Sequence, residues 1–227
     1  MAIVSFLAST DDNWIEYNGP SIATARTTAT GTSIGVNTTT TIPNHGLRRA
    51  GSTYTNRRYY CWFDTSSIPD SAIITKALIT LWRISGAQTV GDQTPHRVMK
   101  GTFPTGALST SHFGHMDLAV GDLFLNAQTG IYNGSGYSSP FIATGSSGTN
   151  YVGANLNPAK FNDAINKQGI SKFVIVAARD IDTANGQPSD GEDGFRTFSS
   201  SNDITANRPL LTIEYSQPNP LANYITN

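Results

Sequence analysis

The stretch RRYYCWFD at residues 57–64 leads through a TSSIPD turn into AIITKALITLWR at 72–83. Both stretches alternate with the period of a β-strand, in which successive side chains lie on opposite faces. In the first stretch, one face carries Tyr59, Cys61 and Phe63, and the other carries Tyr60, Trp62 and Asp64. In the second, Ala77, Ile79 and Leu81 alternate with Leu78, Thr80 and Trp82. The sequence therefore predicts two long strands joined by a turn.

The composition favours the same fold class. The 227 residues include 28 Thr, 22 Ser, 18 Asn and 21 Gly, whereas charged residues make up 14%; an average soluble protein has about 25%. These small residues are poor helix formers and suit short strands and turns. Further strands are predicted at 3–7, 173–179, 195–199 and 210–215, and the nine Thr between 24 and 41 fit an exposed sheet face.

One helix is predicted near 158–167. Asn157 is a suitable N-cap, Pro158 occupies the first helical position and Gly169 ends the segment. Residues 85–156 are rich in Gly, Ser and Asn, and we expect a long loop-rich insertion there, with only brief strands at 97–100, 123–125 and 151–152. The sequence predicts a single all-β domain over 1–227, an antiparallel β-sandwich of the jelly-roll type.

Charge and cysteine content exclude several classes of function. The net charge of −1 predicts no nucleic-acid partner, and no apolar run is long enough for membrane insertion. Cys61 is the one cysteine, which excludes an intrachain disulfide and predicts a buried free thiol. Residues 2–9 lack the basic start of a secretory signal, so no signal peptide is recognised.

Two motifs resemble the DNRLRE-type domains, a disaggregatase-related group that overlaps with alginate-binding carbohydrate-binding modules. The first motif runs from Arg58 through the Phe-Asp and Ser-Ile-Pro elements to the strand at 72–81. The second comprises FRTFSS at 195–200 and NRPLLTIEY at 207–215. The resemblance implies a β-sandwich that binds or displays without catalysis, in which Arg58 pairs within the fold.

No catalytic motif accompanies this pattern. The sequence contains neither Gly-x-Ser-x-Gly nor His-Glu-x-x-His, the signatures of a serine hydrolase and of a zinc protease. We therefore expect a protein that is not an enzyme.

An acidic segment suggests a structural calcium ion. Five acidic residues fall within 180–193, beside Asn185 and Gly186, and calcium prefers several oxygen ligands on a bending chain. A solvated acidic loop is the alternative. The ligand set predicted for calcium is Asp180, Asp182, Asn185, Asp190 and Glu192.

A glycan site is the second candidate. Exposed aromatic rings stack on sugars, and arginine forks match carboxylates. The residues predicted to bind a glycan are Trp62, Trp82, Tyr60, Arg48, Arg49 and Arg57. Alternatively, the 85–156 insertion or a neighbouring subunit covers both tryptophans.

Two functions remain open at this point. In the first, the chain is a structural component of a virus-like particle (a head decoration, spike or fibre protein) that contacts host polysaccharide. Its partners would be other copies, capsid or tail proteins, and we would expect it on the virion or extracellular surface, with 85–156 in subunit contacts. In the second, it is a carbohydrate-binding module for an acidic polysaccharide in a secreted processing system.

Overall fold

The computed structural model describes residues 1–10, 12–35, 41–85, 96–119, 123, 150–181, 187–191, 196–199 and 201–218. The strands in these ranges are β1 (Ala2–Leu7), β2 (Asn13–Gly19), β3 (Ser33–Ile34), β4 (Thr41–Ala50), β5 (Thr53–Asp64), β6 (Ile73–Ser85), β7 (His96–Gly101), β8 (Met116–Asp117), β9 (Asn150–Asn155), β10 (Ile170–Ala177), β11 (Arg196–Ser199) and β12 (Leu210–Ser216). The helices are α1 (Ile22–Thr27), α2 (Phe161–Ala164) and α3 (Ala178–Ile181), and 3-10 turns occupy Thr110–His112, Pro158–Lys160 and Thr205–Asn207.

The strands form two antiparallel sheets. Sheet I contains β1, β12, β6 and β9, with β11 alongside β6. Sheet II contains β3, β2, β5, β10, β7 and β8. Consecutive strands such as β5 and β6 lie in different sheets, as in jelly rolls. The predicted all-β sandwich is confirmed.

Strand β4 belongs to both sheets. Its first half pairs with β11, and residues 46–50 pair with β5. Gly46 lies at the change of partner and has a φ of 139°, a backbone conformation that residues with a Cβ rarely adopt. Such switching strands form the corners of sandwiches.

The inter-sheet core follows the predicted alternation. Tyr59, Cys61 and Phe63 are completely buried, and they face buried Ile79 and Leu211 of sheet I. Cys61 is a free, buried thiol, as predicted.

The opposite face of sheet II is also buried. We call this layer the outer cluster; its buried members are Ile15, Tyr60, Trp62, Met99, Phe103, Phe113, Val174 and Val176. Residues 102–116, the cover segment, supply Phe103 and Phe113. Two of the brief strands predicted within the 85–156 insertion are present, since β7 includes 97–100 and β9 includes 151–152. The cover segment packs on the outer face of sheet II.

Two expectations need correction. The helix near 158–167 ends at Ala164, because Ile165 is extended and the side chains of Asn166 and Ser171 take over the local hydrogen bonds.

In the Thr-rich region, residues 22–27 form α1 rather than a strand, with the Ser21 side chain accepting a hydrogen bond from the Thr24 N–H. Thr38, Thr39 and Thr40 lie outside the described residues.

Candidate functional site

A cleft of about 490 Å³ lies where α2 and the start of β10 meet the end of β7, within the 300–1,000 Å³ that is usual for ligand pockets. Its charged lining comprises Lys100, Lys167, Lys172, Asp70 and Asp163. Side-chain amides come from Asn162, Asn166 and Gln168. The cleft is polar, and its formal charge is +1.

The wall of the cleft is held by local hydrogen bonds. The Thr65 hydroxyl lies 2.7 Å from the Ser171 hydroxyl and donates to the carbonyl oxygens of Asn166 and Gly169 at 2.7 and 2.9 Å. Burial of Phe161 and Ile165 in the inter-sheet core anchors the other end of this wall. The wall of the cleft is therefore held by contacts within the protein and does not need a ligand to form.

The three lysines differ in their partners. The Lys167 ammonium donates to the carbonyl oxygens of Asp70 and Ala72 at 2.5 and 3.0 Å. The Lys172 ammonium donates to the carbonyl oxygen of Phe103 at 2.7 Å. The side chain of Lys100 is half-buried and lies opposite Asp117 in the β7–β8 pair. Within the described residues, its ammonium makes no hydrogen bond or ion pair.

This arrangement suits recognition of a polar, anionic ligand. Ammonium groups that are not neutralised by a carboxylate attract carboxylate or sulfate groups, and the amides match sugar hydroxyls. Ser171 lines the cleft, but its hydroxyl is engaged with Thr65 and the Asn166 N–H. Among the described lining residues there is no histidine to activate it, so the cleft lacks a serine–histidine pair.

The predicted aromatic platform is wrong for two of its three residues. Trp62 is 3% exposed, and its ring centroid lies 5.6 Å from that of Phe103. Tyr60 is fully buried, and its hydroxyl donates to the carbonyl oxygen of Phe113 at 2.6 Å. The cover segment thus excludes sugars from both rings. The side chain of Trp82 lies outside what the structure describes.

The predicted arginines do not form one basic patch. Arg57 pairs with Glu16, and its guanidinium lies 4.8 Å from the ring centroid of Trp14. Arg49 donates to the carbonyl oxygen of Gly51 at 3.0 Å and lies over the Tyr54 ring. Arg48 is exposed, and by strand alternation it projects on the face opposite to Arg49.

Of the five predicted calcium ligands, the structure describes Asp180 and Asp190. Asp180 is buried and binds Arg58 and Asn56, so its prediction as a calcium ligand is wrong. Asp190 is exposed and accepts a hydrogen bond from the Gly51 N–H at 2.6 Å. Asp182, Asn185 and Glu192 lie outside the described residues. Within the described ranges, no three His, Cys, Asp or Glu side chains are placed to hold a metal.

Among the described residues, the ionisable groups with the most strongly shifted pKa values lie away from the cleft. Burial alone would lower the pKa of Arg58, but the charge and hydrogen bonds of Asp180 outweigh burial and raise it. Burial raises the pKa of Tyr59, and the charge of Asp12, which accepts its hydroxyl hydrogen bond, raises it further. Burial likewise raises the pKa of Cys61. All these groups are used in packing.

Sequence reasoning missed the cleft because its walls come from three separated parts of the chain, around 70, 100 and 162–172. The available signal was weak: three of the five lysines of the protein line it.

None of the described helices has the length and apolar character needed to cross a bilayer. No protein-family model matches the chain, and no curated protein matches it.

Proposed function

We propose that this chain is a non-catalytic β-sandwich displayed on a virus-like particle, as a head decoration, spike or fibre protein, and that it contacts host-surface polysaccharide through the lysine-lined cleft. The observation that carries this proposal is the cleft itself. It is preformed, polar and positively charged, and the one unpartnered ammonium in its described lining belongs to Lys100.

The placement of the perturbed ionisable groups supports a non-catalytic role. Shifted pKa values cluster at active sites in enzymes. Here Arg58, Tyr59 and Cys61 are fully buried, and none of them lines the cleft. Display on a particle is supported by the low charge content and by the abundance of Thr, Ser, Asn and Gly in the sequence. In this setting the partners are other copies of the chain or other particle proteins.

The second candidate function is a carbohydrate-binding module for an acidic polysaccharide in a secreted processing system. The DNRLRE-type resemblance of the 58–81 and 195–215 motifs favours it, together with the positive charge of the cleft. The two functions share the ligand. They differ in location, because the domain belongs to a particle in the first and to a secreted system in the second.

Titration with uronate oligosaccharides tests the binding step. We expect wild type to bind weakly at low salt and Lys100→Ala to lose roughly tenfold in affinity, because a charge-assisted hydrogen bond contributes about 1.5–3 kcal/mol. Lys76→Ala is the matched control, since it removes one lysine charge from sheet I, where Lys76 pairs with Glu214. Equal binding by both variants, or no binding by a multivalent display of wild type, would overturn the proposal.

Whether the domain belongs to a particle or to a secreted protein is tested separately. Mass spectrometry of purified particles from the source culture should detect the chain if it is a particle component. Its recovery only as a free secreted protein would favour the carbohydrate-binding module.

A further inference from the structure

Strand β1 is an edge strand of sheet I. It pairs with β12 over its whole length without a bulge, from Ala2 opposite Tyr215 to Leu7 opposite Leu210. In the described part of the chain, no second strand pairs with its other edge. An open edge presents unpaired N–H and C=O groups that can accept another strand.

This edge lacks the features that usually prevent strand addition. Proteins protect edges with charged residues, proline, bulges or short strands. The β1 sequence AIVSFL contains neither charge nor proline. Two of its apolar side chains face solvent, with Ile3 69% exposed and Leu7 38% exposed.

We infer that β1 pairs with β1 of a second copy, antiparallel, about a two-fold axis at Ser5. Residues that face each other in an antiparallel pair project from the same face of the sheet. With Ser5 on the axis, Ile3 of each copy lies opposite Leu7 of the other. Both exposed apolar side chains are then covered by one pairing.

The neighbouring strand continues this match. Leu210 lies opposite Leu7 within one copy, so Leu210, Leu7 and the second copy's Ile3 form one apolar row. A register centred on Val4 would instead place Ile3 opposite Ser5. The absence of charge on β1 means that two copies bring no like charges together, which favours a second copy as the occupant.

The contact is small. A six-residue edge falls below the area of a standard interface, about 1,200–2,000 Å², so the isolated protein should dimerise weakly. Many copies held on one surface would strengthen the contact through effective concentration. Pairing of β1 between copies is independent of the proposed function, since a particle component and a binding module could both use it.

Cysteine cross-linking tests the register. We expect Ser5→Cys to form a disulfide-linked dimer under mild oxidation. Thr212→Cys is the matched control: it is on the same face one strand further in, which puts the two copies' residues roughly 14 Å apart in the pairing, beyond disulfide reach of about 7 Å. Wild-type Cys61 is buried and should stay unlinked. Equal linking of both variants would overturn the inference.

Sedimentation equilibrium tests the association itself. We expect wild type to show a concentration-dependent dimer and Ser5→Lys to remain monomeric, since it places two like charges at the axis. Ser52→Lys, in an exposed turn, adds the same charge elsewhere and should dimerise like wild type. A wild type that remains monomeric at millimolar concentration contradicts the inference. Uronate binding by monomeric Ser5→Lys shows separately whether the cleft functions.

Discussion

Arg58 and Asp180, 122 positions apart, form an ion pair in which neither side chain is accessible to solvent. The guanidinium also donates to the carbonyl oxygens of Phe113 and Arg26 at 2.8 and 3.1 Å. Asn56 donates to the same carboxylate at 2.7 Å. This network joins β5 to α1, α3 and the cover segment.

Breaking this pair should destabilise the fold strongly. We expect Arg58→Met to lower the free energy of unfolding by about 3–5 kcal/mol, because Asp180 is left as a buried, unpaired charge. The double variant Arg58→Met/Asp180→Leu should recover much of that loss. Urea unfolding measures both, and Lys76→Ala in the exposed pair with Glu214 should cost no more than about 1 kcal/mol. A small effect of Arg58→Met alone would show that the pair is not needed.

Phe103 should hold the cover segment on sheet II. Its ring centroid lies 5.4 Å from that of Tyr60 and 5.6 Å from that of Trp62. We expect Phe103→Ala to cost about 3–5 kcal/mol and to shift tryptophan emission to longer wavelength as Trp62 meets water. Leu118→Ala, at a 61% exposed position two residues beyond the cover segment, is the control that should change neither quantity.

Cys61 should be unreactive in the native protein. Burial raises the pKa of its thiol, and the thiolate is the reactive form. We expect a thiol reagent to label the folded chain only as fast as it unfolds, and to label one thiol per chain at once in denaturant. Rapid labelling without denaturant would contradict the described packing of β5.

Stability should fall at alkaline pH. Burial raises the pKa values of Tyr59, Tyr60 and Cys61 in the folded state. Their ordinary values are about 10 for Tyr and 8.5 for Cys. Above pH 8.5 the unfolded chain therefore releases protons that the folded chain retains, which favours unfolding as pH rises.

Urea unfolding between pH 7 and 10.5 measures this dependence. Cys61→Ala should have a shallower decline between pH 8.5 and 10 than wild type, because one titrating group is gone. A free energy that stays constant through pH 10 would contradict the prediction.

Calcium binding by the 182–192 segment stays a prediction, now without Asp180. Thermal melts with calcium and with chelator test it. We expect calcium to raise Tm, and Asp190→Asn to reduce that increase. An unchanged Tm at millimolar calcium would rule out the site.

The alternation in β5 and β6 was sufficient to predict the inter-sheet core, because a strand period of two determines which side chains share a face. It could not show whether the second face is solvated. That depends on Phe103 and Phe113, whose irregular spacing in a Gly- and Ser-rich region gives no periodic signal. Sequence alone therefore leaves open whether Trp62 meets a ligand or is covered by part of 85–156, and the structure shows that Phe103 covers it.

The start of the helix at 158 was predictable, since the Asn157 cap and Pro158 at the first helical position depend only on neighbouring residues. The early end of the helix was not, because it depends on hydrogen bonds that Asn166 and Ser171 form only when β10 is in place. The cleft was hard to predict for a similar reason: Lys100 and Lys167 are brought together by the pairing of β7 with β10, not by spacing along the chain.

The corner at β4 has a mechanical consequence. Because one continuous backbone is hydrogen-bonded to β11 in sheet I and to β5 in sheet II, the sheets cannot slide past each other without breaking one of those ladders. A force applied to either sheet is transmitted through covalent bonds around Gly46 as well as through side-chain contacts. The sandwich should therefore resist shear as a single unit, a useful property for a domain that is held at one end and pulled at the other.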